Sequence, residues 1–234
     1  VRVREAFYKA IDVEAIKNRV MRGLSTPSAL MIAPELFPLS KDFVRPKADP
    51  EAAKKLLADA GYPNGFEVSM DCPNDRYVND AAICQAVVGM LARIGVKVDL
   101  VAQPKALYFA KILKPGGYKT SFFLLGWTPG TLDSHDVMYQ IMGCRDDPSN
   151  SRGEANVAGY CNKDFDKLTD QVLQESDKAK RDLLIKQAFE IAIKDYAYIP
   201  LHQQALAWGV SKKLKVVQRA DNQVLPYWMV KQEE

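Results

Sequence analysis

The stretch Phe66-Glu67-Val68-Ser69-Met70-Asp71 is typical of a β-strand, and Val96-Lys97-Val98-Asp99-Leu100-Val101 is typical of a second one. In the second stretch apolar residues alternate with charged ones, which is the pattern of a half-buried strand. A helix is predicted between the two, from about Asp80 to Ile94, and Gly95 ends it. The order strand–helix–strand predicts two parallel strands with helices on the faces of the sheet, which is an α/β fold.

The elements predicted on either side of this unit are mostly helices. Asp12, Asp49 and Asp177 stand where helices would begin, and an aspartate there accepts a hydrogen bond from the first turn. A third, apolar strand is predicted over Thr120–Gly126, and an irregular segment over residues 24–48. The further predicted helices cover residues 1–11, 13–22, 50–60, 105–113, 136–142, 163–175 and 178–195. Short strands are predicted over Tyr198–Leu201, Ala205–Val210, Leu214–Val217 and Val224–Val230.

The composition is that of an ordinary globular protein. The chain has 234 residues and a formal net charge of +3, with 47% hydrophobic and 26% charged residues. So small a surplus of positive charge does not indicate a nucleic-acid-binding protein. No apolar run approaches the roughly 20 residues of a membrane-spanning helix, and no signal segment stands at the N-terminus. Because the chain begins at Val1 inside a predicted helix, we expect it to be a piece of a longer protein.

The four cysteines form two local pairs along the sequence. Cys72 ends the first strand and Cys84 lies in the following helix, whereas Cys144 and Cys161 flank a polar loop. The lack of any C-x-x-C pair, in a chain with two histidines, argues against a zinc site. An even number of cysteines in local pairs suits two disulfides and an oxidising compartment. Four buried free thiols are the alternative.

Polar and aromatic residues are concentrated in the loops that follow the predicted strands. Ligands bind beyond the carboxyl ends of parallel strands, so a site is expected in the loops 72–79, 102–105 and 127–136. The candidate ligand-binding residues of these loops are Asn74, Arg76, Tyr77, Trp127 and Asp133.

Some candidates have an equally simple structural role. The guanidinium of Arg76 matches the geometry of a carboxylate, but a solvated surface charge is the alternative. The indole of Trp127 suits stacking on a ligand, and a packed core position is the alternative. Asn156, in the loop between the last two cysteines, is a further ligand-binding candidate, with structural hydrogen bonding as its alternative.

The segment Asp133-Ser134-His135-Asp136 suggests metal binding or acid–base chemistry. The alternative is that Asp133 or Asp136 caps a short helix while His135 is a loop residue. A metal-assisted hydrolase using Asp133, His135 and Asp136 therefore stays open as a function, as does a pure protein-interaction domain. The sequence has no nucleotide-binding loop and no nucleophile elbow.

Several motifs of the chain resemble those of one family. The segment Asp49-Pro50-Glu51-Ala52-Ala53-Lys54-Lys55-Leu56-Leu57-Ala58-Asp59-Ala60-Gly61-Tyr62 is close to the family pattern D-P-x-x-A-K-x-L-L-x-x-A-G-Y. By its motifs the chain resembles the family 5 extracellular solute-binding proteins of bacterial ABC importers, which include dipeptide- and oligopeptide-binding proteins. Similar matches lie at Arg4–Asp12, Leu91–Val98, Gly126–Trp127, Gly159–Asn162 and Ile199–Leu201.

The resemblance implies the C-terminal lobe of a two-lobed, type II periplasmic binding protein. Such a lobe has a mainly parallel sheet flanked by helices, and here a β-rich crossover tail would follow it. Residues 1–200 would form the ligand-binding lobe, and residues 201–234 the crossover strands that join a missing N-terminal lobe. The implied protein is soluble in the periplasm of a Gram-negative bacterium. It captures a small-molecule or peptide solute for the permease subunits in the membrane, without a cofactor and without acting as an enzyme.

The resemblance also implies roles for single residues. Arg76 with Asn79 resembles the family's R-x-x-N, in which the arginine contacts the carboxylate of the ligand. Cys144 and Cys161 match the two partners of a disulfide in the dipeptide-binding members. Those members hold the amino group of a peptide with an aspartate three residues after the tryptophan, where this chain has Gly130. Either the nearby Asp133 takes that role, or the solute is not a conventional free-amine peptide.

Overall fold

A computed structural model describes residues 1–113, 120–147 and 149–217, together with the backbone of residues 230 and 231. None of the helices in these ranges is both long and apolar enough to cross a bilayer. The helices are α1 (Arg2–Ala10), α2 (Val13–Ala15), α3 (Pro50–Asp59), α4 (Asp80–Ala92), α5 (Lys105–Ile112), α6 (Ser134–Val137), α7 (Lys163–Gln174) and α8 (Lys178–Lys194). The strands are β1 (Ser25–Pro27), β2 (Phe66–Pro73), β3 (Val96–Gln103), β4 (His202–Gln204), β5 (Leu214–Lys215) and β6 (Val230–Lys231).

The predicted strand–helix–strand unit is confirmed. β2 and β3 pair in parallel over their whole length, from Phe66 opposite Val96 to Pro73 opposite Gln103. α4 connects the two strands and begins at Asp80, as predicted. The last four residues of β2 are buried, which fixes the carboxyl end of this strand in the core. The loop that carries Asn74, Arg76 and Tyr77 therefore starts from a rigid position.

The predicted third strand, Thr120–Gly126, is wrong as a strand. The segment makes a single parallel bridge to β2, in which Phe123 lies opposite Asp71. The Asp71 amide donates to the carbonyl of Phe122 at 2.8 Å, and its carbonyl accepts from the Leu124 amide at 3.1 Å. The apolar run is nevertheless packed on both of its sides, because Phe122 and Leu124 pack on one core cluster and Phe123 packs on another. The segment still runs beside β2 and ends at the same edge of the sheet.

Two large hydrophobic clusters hold the helices in place. The first joins α1, α3 and α4 to the sheet, with Ala6, Ala53 and Leu91 completely buried. The second joins α7 and α8 to the turn after α6, with Phe165 and Phe189 in its interior. The sheet is thus flanked by helices, as the α/β prediction requires.

The predicted irregular segment and the predicted tail strands need correction. Three residues of the segment 24–48 form β1, which pairs antiparallel with β4. The strand predicted over Tyr198–Leu201 lies instead at His202–Gln204, and Ala205–Val210 is not a strand. Leu214–Val217 shortens to the two residues of β5, which pair antiparallel with β6. Residues 224–229 lie outside the described part of the chain. The described sheet pairing is therefore parallel in the central unit and antiparallel at β1–β4 and β5–β6.

The predicted helix starts are confirmed at three aspartates. Asp12, Asp49 and Asp177 each accept a hydrogen bond from the backbone amide three residues later, at 2.9–3.0 Å. The predicted helix 13–22 is α2 continued by a π-helical turn, and the predicted helix 136–142 is α6 continued in the same way. The first ends at Val20, two residues before its predicted end, and the second begins at Ser134, two residues before its predicted start, because Asp133 caps it.

Both disulfides form, so the alternative of four free thiols is wrong. Cys72 bonds to Cys84 and ties the end of β2 to α4. Cys144 bonds to Cys161 and closes the polar loop before α7.

Candidate functional site

The loop after β2 is organised by the buried carboxylate of Asp80, at the start of α4. Its Oδ2 accepts hydrogen bonds from the backbone amides of Arg76 at 2.9 Å and Tyr77 at 3.0 Å. Its Oδ1 accepts from the Ala81 amide at 2.9 Å. Asp80 therefore fixes the backbone that presents two of the candidate side chains. We did not identify this role from the sequence, although an acid at the first position of a helix after a loop is a signal for it.

The Arg76 side chain is exposed, and it is not committed to an acidic partner within the described part of the chain. Its guanidinium carbon lies 5.0 Å from the centroid of the Tyr77 ring, which is a cation–π distance. In turn, the Tyr77 hydroxyl donates to the carbonyl of Gly126 at 3.3 Å, and burial raises the pKa of this hydroxyl. A Cβ at position 126 would lie only 2.7 Å from Cε1 of Tyr77, so any larger residue there would force the Tyr77 ring to move. The loop after β2 thus meets the segment that leads to Trp127.

Trp127 lies at the surface and not in the core, with 36% of its area exposed. Its indole Nε1 donates to Oδ1 of Asp136 at 2.7 Å. The other carboxylate oxygen of Asp136 accepts from the Gly130 amide at 3.2 Å. From the sequence, Asp136 is a candidate for metal binding, acid–base chemistry or helix capping. Its contacts instead orient the exposed tryptophan and the loop that follows it.

Asp133 caps α6 and forms an ion pair with an arginine of α8. Its Oδ1 accepts from the His135 amide at 2.7 Å, which confirms the capping alternative. The guanidinium of Arg181 donates to both carboxylate oxygens, at 3.0 and 2.8 Å. Burial raises the pKa of Asp133, but the hydrogen bonds from Arg181 and the His135 amide outweigh it, so the pKa is lowered overall. The charge of Asp133 is thus already neutralised within the chain.

The residues of the hydrolase alternative do not form a metal site. Asp133 contacts Arg181, whereas Asp136 contacts Trp127. The ring of His135 stacks on Tyr139 with centroids 5.4 Å apart, and burial lowers its pKa. Across the described ranges, no three His, Cys, Asp or Glu side chains are grouped closely enough to hold a metal ion.

The two asparagine candidates occupy different places. Asn74 is exposed, and its backbone amide donates to the carbonyl of Gln103 at 3.0 Å. Asn74 therefore lies where β2 and β3 both end. Asn156 is completely buried. Its side-chain amide donates to the carbonyls of Gly143 at 2.8 Å and Tyr160 at 2.7 Å. The structure therefore brings Asn74 to the edge of the sheet with Arg76, Tyr77 and Trp127, and leaves Asn156 as a structural residue of the cysteine loop.

A cavity of about 550 Å³ lies away from this edge, between the cysteine loop and α7. Its lining is strongly charged, but most of the charges are paired with one another, for example Lys163 with Asp146 and Arg152 with Asp170. The carboxyl edge of the sheet, with its uncommitted guanidinium and exposed indole, is the better candidate site.

Comparisons with known proteins agree on one family. The family model described as bacterial extracellular solute-binding proteins, family 5 Middle, matches residues 1–149. Heme-binding protein A of Haemophilus influenzae is 30% identical over 204 residues, which cover 86% of this chain and 36% of that protein. Glutathione-binding protein GsiB of Escherichia coli K12 is 26% identical over 215 residues, covering 91% of this chain and 41% of that protein. The chain thus spans about two fifths of the length of these curated relatives.

Solved structures show the same fold. A dipeptide-binding protein from Pseudoalteromonas sp. SM9913 in complex with Met-Leu matches with a TM-score of 0.82 and 24% identity, over 99% of this chain and 45% of that one. The periplasmic binding protein DppA of Helicobacter pylori, in complex with the peptide STSA, matches with a TM-score of 0.78 and 22% identity, over 92% and 40%. The described architecture is therefore that of a lobe of a type II periplasmic binding protein.

Proposed function

The chain belongs to the bacterial extracellular solute-binding proteins, family 5, and from this premise we propose that it is part of a receptor that captures a small solute for an ABC importer. The observation that carries the proposal is the uncommitted guanidinium of Arg76 at the carboxyl edge of the sheet. An exposed arginine that is held by its backbone and by an aromatic ring is ready to bind a carboxylate with two parallel hydrogen bonds.

The names of related proteins support a solute of this kind. One curated relative is named for glutathione, and two solved structures of the same fold contain peptides. Glutathione and peptides all carry carboxylate groups. In our proposal Arg76 binds such a carboxylate, Trp127 provides an apolar wall, and Asn74 and Tyr77 border the site. Another relative is named for heme, whose propionates are also carboxylates, so its name does not narrow the class further.

We also propose how the chain acts within its whole protein. Residues 1–200 form one ligand-binding lobe, and residues 201–234 cross to a second lobe formed by another part of the same protein. Closure of the two lobes around the solute is the signal that permease subunits in the membrane recognise, a hinge motion of the kind known for binding proteins. The protein works in the periplasm and releases the solute chemically unchanged.

Native mass spectrometry of the full-length protein, purified without refolding, tests this proposal. We expect one small molecule per protein, which is recovered intact after the protein is denatured. Conversion of that molecule during incubation with the protein would contradict a binding role and favour an enzyme. A full-length protein that binds no small molecule but binds another protein stably would favour an interaction domain instead.

A further inference from the structure

The backbone of Arg76, Tyr77 and Val78 is fixed by three consecutive hydrogen bonds, and the last of them comes from a distant part of the chain. The amides of Arg76 and Tyr77 donate to Asp80, which belongs to the helix that follows them. The Val78 amide donates at 3.0 Å to Oε1 of Gln204, which is 126 residues away along the sequence. Gln204 therefore completes the support of this loop from outside the strand–helix–strand unit.

Gln204 is in turn fixed by strand pairing. It is the last residue of β4 and lies opposite Ser25 in the antiparallel pair with β1. Just before β4, the Leu201 carbonyl accepts from the Ser28 amide at 3.2 Å and extends this attachment. Beyond Gln204 the chain changes in character, because residues 205–207 and 209–215 are all exposed. Gln204 thus lies at the boundary between the strand held by β1 and the exposed tail.

A second contact ties the same loop to the chain before β1. The side-chain amide of Asn79 donates to the Val20 carbonyl at 3.0 Å. Asn79 has a φ of +58°, a left-handed conformation that asparagine adopts more readily than most other residues. The loop after β2 is therefore fastened through residues 78 and 79 to the β1–β4 pair and the segment before it, while the exposed Arg76 side chain takes part in neither contact.

We propose that Gln204 is a positioning residue, which holds the loop of Arg76 in the conformation that binds the carboxylate of the solute. This inference rests on the proposed function, in which residues 201–234 cross to the second lobe. A guanidinium binds a carboxylate through two parallel hydrogen bonds, so a small displacement of the backbone that carries it weakens the pair. Because the acceptor of the Val78 amide belongs to the crossover segment, the position of Arg76 depends on how that segment leaves this lobe.

Two substitutions at residue 204 of the full-length protein separate the hydrogen bond from the size of the side chain. Gln204→Met retains the length of the side chain but removes the acceptor, whereas Gln204→Glu retains an acceptor. Gln203→Met is the matched control, because the side chain of Gln203 donates to Oγ of Ser28 at 3.4 Å, beside β1. Residue-resolved hydrogen exchange reports on the loop, and native mass spectrometry reports the fraction of protein that retains its co-purified solute after dialysis.

We expect the Val78 amide to exchange about tenfold or more faster in Gln204→Met, because it loses its acceptor, and at the wild-type rate in Gln204→Glu and Gln203→Met. Solute retention should fall about three- to tenfold in Gln204→Met, as loss of one supporting hydrogen bond implies, and should stay at the wild-type level in Gln203→Met. The two methionine variants should have similar midpoints in urea unfolding, so that the difference in retention reports on the loop and not on the stability of the fold.

The proposal is overturned if Val78 exchanges at the wild-type rate in Gln204→Met, or if its exchange accelerates while solute retention stays at the wild-type level. In either case a wild-type protein that carries its intact solute would still meet the proposed function. A wild-type protein that carries no solute would contradict the proposed function itself, and this inference with it.

Discussion

Two aspartates that are three residues apart, Asp133 and Asp136, have different charge partners, because Arg181 pairs with Asp133 whereas neutral donors bind Asp136. From the sequence either could cap the same short helix or hold a metal, although Asp133 alone of the two is a ligand-binding candidate there. The structure separates them because Arg181, which neutralises Asp133, is 48 residues away along the chain. A pairing of this kind depends on how α8 packs, and no local pattern encodes it.

The ion pair of Asp133 predicts a pH-dependent contribution to stability. The folded pKa of Asp133 is lowered from its ordinary value of 3.8, so the pair stabilises the fold above that pH and ceases to do so as the pH falls through the lowered pKa. Both side chains are partly exposed, so we expect Asp133→Asn to cost about 1 kcal/mol at pH 7. Urea unfolding of wild-type and variant protein from pH 7 down to pH 3 measures the difference, which should shrink towards the acid end. A difference that stays constant over this range would contradict the role of the charge.

The other candidate residues show where residue-scale prediction succeeds and fails. The sequence predicts Arg76, Tyr77 and Trp127 at the edge of the sheet because they lie in loops that follow predicted strands, and the structure brings them together there. Asn156 was included because of its polar loop, but a polar loop can fold inward when a disulfide closes it and its amides find backbone carbonyls. Asp80 was missed because its role is to hold a backbone rather than to face a ligand.

At the scale of elements, the pattern of apolar residues predicted which segments are buried better than it predicted which segments pair as strands. β2 and β3 were found correctly because each has a full parallel partner. Thr120–Gly126 contains a continuous apolar run whose partly buried side chains pack on two core clusters, yet it bridges β2 at a single residue. The short pair of β1 and β4 was missed because Ser25–Pro27 has only three residues and contains a proline, which argues against a strand.

The turns before β2 and β3 touch each other at Gly65 and Gly95, and this contact requires glycine at residue 65. Gly65 has a φ of +73°, and a Cβ on it would lie 1.8 Å from the carbonyl oxygen of Gly95. Because the obstacle is backbone and not a flexible side chain, we expect Gly65→Ala to destabilise the protein by about 2–4 kcal/mol. Thermal and urea unfolding of the full-length protein provide the measurement.

Gly89 provides the matched control for this substitution. It lies on the exposed face of α4, and a Cβ built there meets no atom within 4 Å. Gly89→Ala should therefore stabilise the protein by about 0.5–1 kcal/mol, since alanine is the better helix former. Equal effects of the two substitutions would show that the contact between the turns does not matter.

At the scale of the whole molecule, composition and charge argue against some classes of protein, such as nucleic-acid-binding proteins, but do not identify the family. The family was identified by motifs spread along the chain, and the matching family model and the solved structures of the same fold agree with it. The division at residue 200 remains a prediction. β4, just beyond that point, pairs with β1 in a two-stranded sheet of its own, so the tail begins in contact with the chain before residue 200. The solute could not be named, because the chain spans about two fifths of its curated relatives.

The central claim is that the edge of the sheet binds the carboxylate of a solute through Arg76. The most direct test compares native mass spectra of full-length wild-type protein, Arg76→Ala and Arg93→Ala, all purified in parallel. Arg93 is an exposed arginine at the other end of α4 and serves as the control. We predict one carboxylate-bearing solute on wild-type protein and on Arg93→Ala, and an occupancy reduced about tenfold or more on Arg76→Ala. Equal occupancy of Arg76→Ala and wild-type protein would contradict the account.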